Sequence, residues 1–119
     1  MNLAINWIKA KQTQILGKSL SEKEEDAIIT LLEQCDYEPD NAVKVILEII
    51  EQNPSERVLA FLGAGPVEEL LVKYPEYLEK LIEMTPNTSA LKECLSHVNY
   101  DDEDGLDAEM LNKFLNSTQ

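Results

Sequence analysis

AFLGAGPVEELL, residues Ala60–Leu71, packs two glycines and a proline into Gly63–Pro66, in a chain that has only four glycines. Two readings compete for it. A glycine-rich loop ahead of a helix can cradle a phosphate with its backbone N–H groups, which would point to an enzyme. A P-loop, however, runs longer and ends in Lys-Ser or Lys-Thr, and neither pair follows Gly65. Glu68 and Glu69 come next, in the first turn of the following helix, and already place carboxylates at its positive end. The stretch therefore reads as a joint between two helices. Gly63 would close the first in a left-handed conformation, Gly65 would cap the second, and Pro66 would take its first position. A bulky residue at Gly65 would then cost about 1–3 kcal/mol.

Outward from this joint, apolar residues recur at helical spacing on both sides. Ile28, Leu31, Leu32 and Cys35 follow i, i+3, i+4, i+7, as do Val43, Ile46, Leu47 and Ile50. Val67, Leu70, Leu71 and Tyr74 repeat the pattern, and so do Leu91, Cys94, Leu95 and Val98. No stretch alternates in the manner of a strand. Ser21 with Glu24, and Asn53 with Glu56 behind Pro54, have capping-box spacing, and Asp40 suits a cap. Helices are predicted near 3–15, 22–36, 41–52, 54–62, 66–73, 76–84, 88–98 and 107–116. The short connections fold neighbours back as hairpins. The expected architecture is all-α: residues 1–119 as a single helical domain, an irregular array resembling stacked HEAT-type hairpins. The 41–52 helix is predicted to be central, because Val45 and Ile49 widen its apolar face.

With 119 residues, 44% of them hydrophobic, the chain can bury one real core. Its net charge of −13 is the unusual quantity, and it excludes steering towards a nucleic-acid backbone or an anionic membrane. The charge is also clustered. Residues 21–40 hold eight acids against one lysine, residues 99–109 hold six acids and no base, and residues 1–20 hold three lysines and no acid. No signal-peptide run opens the chain and no long apolar segment interrupts it, so a cytoplasmic location is expected.

No chemistry-bearing constellation emerges. Cys35 and Cys94 form no CxxC pair and sit at apolar helical positions, which predicts buried thiols. An EF-hand frame with Gly105 at its sixth position would put Tyr100 first and Leu111 twelfth, so both end ligands fail. His97 has no nucleophile or orienting partner in any motif, and Trp7 reads as a core anchor. Neither a metal nor a cofactor is expected, and the chain is not expected to be an enzyme.

The segments NWIKAKQ (Asn6–Gln12), AVKVILEII (Ala42–Ile50) and RVLAFLGAGPVEELLVKYPEYLEKLIE (Arg57–Glu83) resemble an uncharacterised bacterial helical domain family. Its members share a Trp-Ile start, a long apolar helix and an Ala-Gly-Pro-Leu-Glu-Asp-Leu-Leu block, matched here by Ala64–Leu71. The resemblance spans roughly residues 5–98. Ser96-His97-Val98-Asn99 stands where such members commonly close with Gly-Val-Trp. It implies a compact bacterial domain and no activity. In general character the chain is also similar to small acidic immunity proteins, which neutralise basic toxin domains.

The function expected is a non-enzymatic acidic protein-binding module of immunity or antitoxin type, partnered by a basic protein such as a toxin domain. Electrostatic complementarity would speed its association. The candidate partner-binding residues are Asp101, Asp102, Glu103, Asp104, Asp107 and Glu109, with Glu22, Glu24, Glu25 and Asp26 as a second patch. The alternative is a small structural or adaptor protein whose acidity serves solubility.

Overall fold

A computed structural model describes residues 2–117, with Asp102 described by its backbone alone. Among the described residues the regular structure is entirely helical: α1 (Leu3–Ile15), α2 (Glu22–Tyr37), α3 (Pro39–Glu51), α4 (Glu56–Leu62), α5 (Glu68–Lys73), α6 (Tyr77–Met84), α7 (Thr88–Leu95) and α8 (Ala108–Leu115). Every one of these helices contributes to one apolar cluster, and among the described residues no polar or charged one is buried. The radius of gyration, 13.6 Å, matches the roughly 13.5 Å expected of one domain of this length. None of the helices is long and apolar enough to cross a membrane.

The stripes seen in the sequence turn inward except at Leu32, which lies on the flank of the α2 stripe and is 37% exposed. Leu31 and Cys35 of α2 face inward, and α3 buries Ala42, Val43, Val45, Ile46, Ile49 and Ile50 against α1, α2 and α6. Trp7 is fully buried. Successive helices α1, α2 and α3 pack as hairpin neighbours, but α4 skips to α7, so the array is irregular.

The Gly63–Pro66 stretch is not a joint. A π-helical turn over Gly63–Val67 runs without a break from α4 into α5, and Gly63 is right-handed (φ −66°, ψ −48°). Pro66 lies inside the helix instead of starting one. Proline offers no N–H to the turn before it, and its ring crowds the carbonyl four residues back. Widening that turn relieves the clash, and the Glu68 N–H then bonds the Gly63 carbonyl in the i→i+5 pattern. The Pro66 carbonyl accepts a hydrogen bond from the buried Cys35 thiol at 3.2 Å.

The apolar spacing explains why the helix runs on. Val58, Leu62, Pro66 and Leu70 are buried at intervals of four, and so are Leu59, Gly63, Val67 and Leu71. In a regular α-helix each step of four drifts by about 40°, so the three steps of each row would swing the stripe by about 120°, well towards solvent. One extra residue in a π turn takes back about 100° of that drift.

Gly63 is small because α7 crosses it. A Cβ there would overlap the Cys94 carbonyl oxygen and come within 3.3 Å of the His97 Cβ. Gly65 has open space around it and no left-handed φ. The size requirement therefore sits at Gly63, and the cost expected at Gly65 has no structural basis.

Two caps also differ from expectation. Ser55, not Asn53, caps α4, its Oγ accepting from the Val58 N–H at 3.3 Å. Asn53 instead takes φ 49° and ends α3, its N–H bonding the Ile50 carbonyl. Asp40 falls inside α3 behind Pro39 and caps nothing, and its carboxylate accepts from Tyr77 at 2.9 Å and Lys80 at 3.1 Å. The Ser21–Glu24 capping box forms as predicted.

Gly63→Ala is expected to lower unfolding stability by about 2–4 kcal/mol, because the backbone of Cys94 has nowhere to yield. Gly65→Ala should leave it unchanged or raise it by up to about 1 kcal/mol through helix propensity. Urea midpoints of the two variants check this, and equal losses at both positions would contradict the π-turn account.

Candidate functional site

The two acidic blocks lie far apart in sequence, yet the fold connects them. Glu22, Glu25, Asp26 and Glu33 are exposed along α2, and half-buried Asp36 lies near its end. Asp36 meets Glu69 of α5. Hydrogen bonding with the Glu69 side chain holds Asp36 below the usual carboxylate range, assisted by the Lys73 ammonium at 3.2 Å. Glu69 is pushed up in turn, first by its hydrogen bonding with Asp36 and then by burial. Beside it, Glu68 accepts a hydrogen bond from the Asn99 backbone N–H at 2.8 Å. Glu68 also lines an open groove of about 510 Å³ with Val72, Asn99, Tyr100, Asp101 and Asp104. A run of carboxylates thus passes from α2 through the start of α5 to the 99–104 segment, with Lys73 inside it.

Several expected partner-binding residues have structural duties. Glu24 is half-buried and sits low because it accepts hydrogen bonds, first from the Ser21 backbone and then from Thr13, at 2.9 Å each. Asp107 caps α8 through the Met110 N–H at 2.9 Å. Asp104 accepts from the Asp101 N–H at 2.7 Å across a 3-10 turn, which Gly105 ends at φ 78°. Asp101, Glu103 and Glu109 are exposed, as are Glu22, Glu25 and Asp26, whereas the Asp102 side chain lies outside the described residues. Asp36, Glu68 and Glu69 complete the run, and the sequence reading missed their part in it. From the sequence, the Glu68–Glu69 pair speaks only against a phosphate at that helix end.

Neither thiol is a reactive centre. Cys35 and Cys94 are free and buried, and burial pushes Cys35 up to about 12. His97 is exposed and pairs with Glu93 at 2.9 Å one turn back. Among the described residues no three His, Cys, Asp or Glu side chains converge as metal ligands.

A family model described as a family of unknown function (DUF6869) matches residues 18–104. The chain belongs to this family. The DUF6869 match contains the Ala64–Leu71 block and the acidic run from Glu22 to Asp104, and it leaves out Trp7, Asp107, Glu109 and α8. No curated protein and no solved structure matches the chain.

The carboxyl pair has a pH signature. Glu69 titrates higher folded than unfolded, so its contribution favours the fold at low pH and is lost as pH rises through its raised value. Asp36 acts oppositely, its contribution being lost as pH falls through its depressed value. Glu69→Gln removes a charge from beside Asp36 and supplies an amide donor in its place. It should raise stability at neutral pH by about 0.5 kcal/mol, an advantage that shrinks by about pH 4, where Glu69 carries its own proton. Urea unfolding at both pH values checks this, and a loss of stability at neutral pH would contradict the pairing.

Proposed function

We propose that the protein is a non-enzymatic binding module of immunity or antitoxin type, which receives a basic protein domain on this acidic run in a bacterial cytoplasm. One observation carries the reading. Asp36 of α2 lies beside Glu69 of α5 and pushes its titration up, and the adjoining Glu68 shares a groove with Asp101 and Asp104 of the 99–104 segment. Solubility needs charge but not crowding, and dispersed acids supply it without like-charge repulsion. A crowded set is destabilising in isolation and is relieved by a cationic partner, which fits a binding surface. The groove between Glu68, Asp101 and Asp104, walled by Val72 and Tyr100, suits a lysine or arginine side chain: its stem on the apolar wall, its head among carboxylates.

The test uses a basic protein captured from the source cells, with rates measured by stopped flow. Association should slow by about tenfold or more as salt rises from about 0.1 M to about 1 M and the Debye length shortens from about 10 Å to about 3 Å. Replacing Glu33, Asp101 and Glu103 by their amides should slow association at low salt and flatten that dependence, with dissociation little changed. Association that ignores salt, or a captured partner that is itself acidic, would contradict the reading and leave the acids as solubilising groups.

A further inference from the structure

We propose that the outer face of α2 is the docking surface for an amphipathic basic helix of the partner, an inference that rests on the binding-module reading and names the partner's chemistry. α2 buries Ala27, Leu31 and Cys35 on its inner side, against α1, α3 and the α5 region. Away from that side, Ile29 on the far face is 55% exposed and Leu32 on the flank 37%, one helical turn apart. Both lie outside the buried cluster that holds the fold together. The helix-surface neighbours of Ile29 are acids: Glu25 and Asp26 one turn before it and Glu33 one turn after it, with Asp36, already paired with Lys73 at 3.2 Å, two turns after it. The one lysine of α2, Lys23, lines a depression on the α1 side with Leu3, Asn6, Thr30 and the ring residue Asp26. An apolar pair ringed by charge has the layout of an interface centre with a hydrated rim.

Charge decides the occupant. A second copy of the chain would set acid ring against acid ring, with −13 on each molecule. An anionic membrane would be repelled for the same reason. A neutral apolar helix would cover Ile29 and Leu32 but strip water from the surrounding carboxylates without pairing them. A helix with leucine-like residues at i, i+3, i+4 and i+7, flanked by lysine or arginine, satisfies both the pair and its ring. From Glu22 to Tyr37 the surface is about 24 Å long, enough for about four turns of such a helix.

Two synthetic helical peptides of equal positive charge and about 18 residues test this. One is a leucine–lysine amphipath, and the other carries glutamine at each leucine. Each is titrated at low salt into the 15N-labelled full chain, and into its Ile29→Ser/Leu32→Ser and Met84→Ser variants. The leucine–lysine peptide should shift amide signals between Glu25 and Asp36 and bind about tenfold tighter than the glutamine–lysine peptide. Ile29→Ser/Leu32→Ser should close that gap without weakening the glutamine–lysine peptide, and Met84→Ser, an exposed change on α6, should leave the gap open. Equal binding of the two peptides, shifts centred away from α2, or a gap closed equally by Met84→Ser would overturn the docking inference while the acidic-surface reading stands. Failure of both peptides to bind at low salt would overturn both.

Discussion

Close passage of the Gly63 backbone over the Cys94 carbonyl sets the geometry of this protein. Helix axes rarely approach so near, and they do so only where one side chain is reduced to hydrogen. Once α4 lies against α7 in this way, the chain beyond Gly63 must keep its apolar side inward for Val67, Leu70 and Leu71. Pro66 prevents a regular α-helical turn, and the widened π turn both accommodates the ring and restores the stripe. The Cys35 thiol ties the same turn to α2 through the Pro66 carbonyl, so α2, α4, α5 and α7 are positioned together.

The same turn places the carboxylates. One extra residue rotates all that follows by about 100° relative to an unbroken α-helix, and Glu68 and Glu69 are the first residues to feel it. Glu69 thereby meets Asp36 of α2, and Glu68 meets the Asn99 N–H ahead of the acidic 99–104 segment. Two blocks separated by some sixty positions of sequence become parts of one surface. Packing accounts for the location of the charge, and local capping duties account for which carboxylates remain free within it.

Much of this was legible in the residues. Period-3.6 apolar stripes announced an all-helical chain, and Ser21 with Glu24 located the start of α2. The central role of α3 followed from an apolar face too broad for a surface helix, and Trp7 and both thiols are buried as their neighbours implied. Gly63–Pro66 misled because glycine and proline punctuate helices far more often than they widen them. The corrective signal was present, in two rows of buried residues spaced strictly by four from Val58 to Leu71, which no regular α-helix keeps inward. Asn53 misled for a related reason: asparagine caps helix starts well, but it also tolerates the left-handed conformation that ends α3. The meeting of Asp36 with Glu69 was not legible, because it depends on the rotation imposed by the π turn and on the approach of α2.

Through-hydrogen-bond scalar couplings measured by NMR in the labelled chain address the central claim most directly. The account predicts a coupling from the Glu68 amide nitrogen to the Gly63 carbonyl carbon, together with helical carbon shifts unbroken from Glu56 to Lys73. Coil shifts at Gly63–Gly65, with no coupling across the turn, would show two helices meeting at a joint and would remove the basis for a continuous acidic surface.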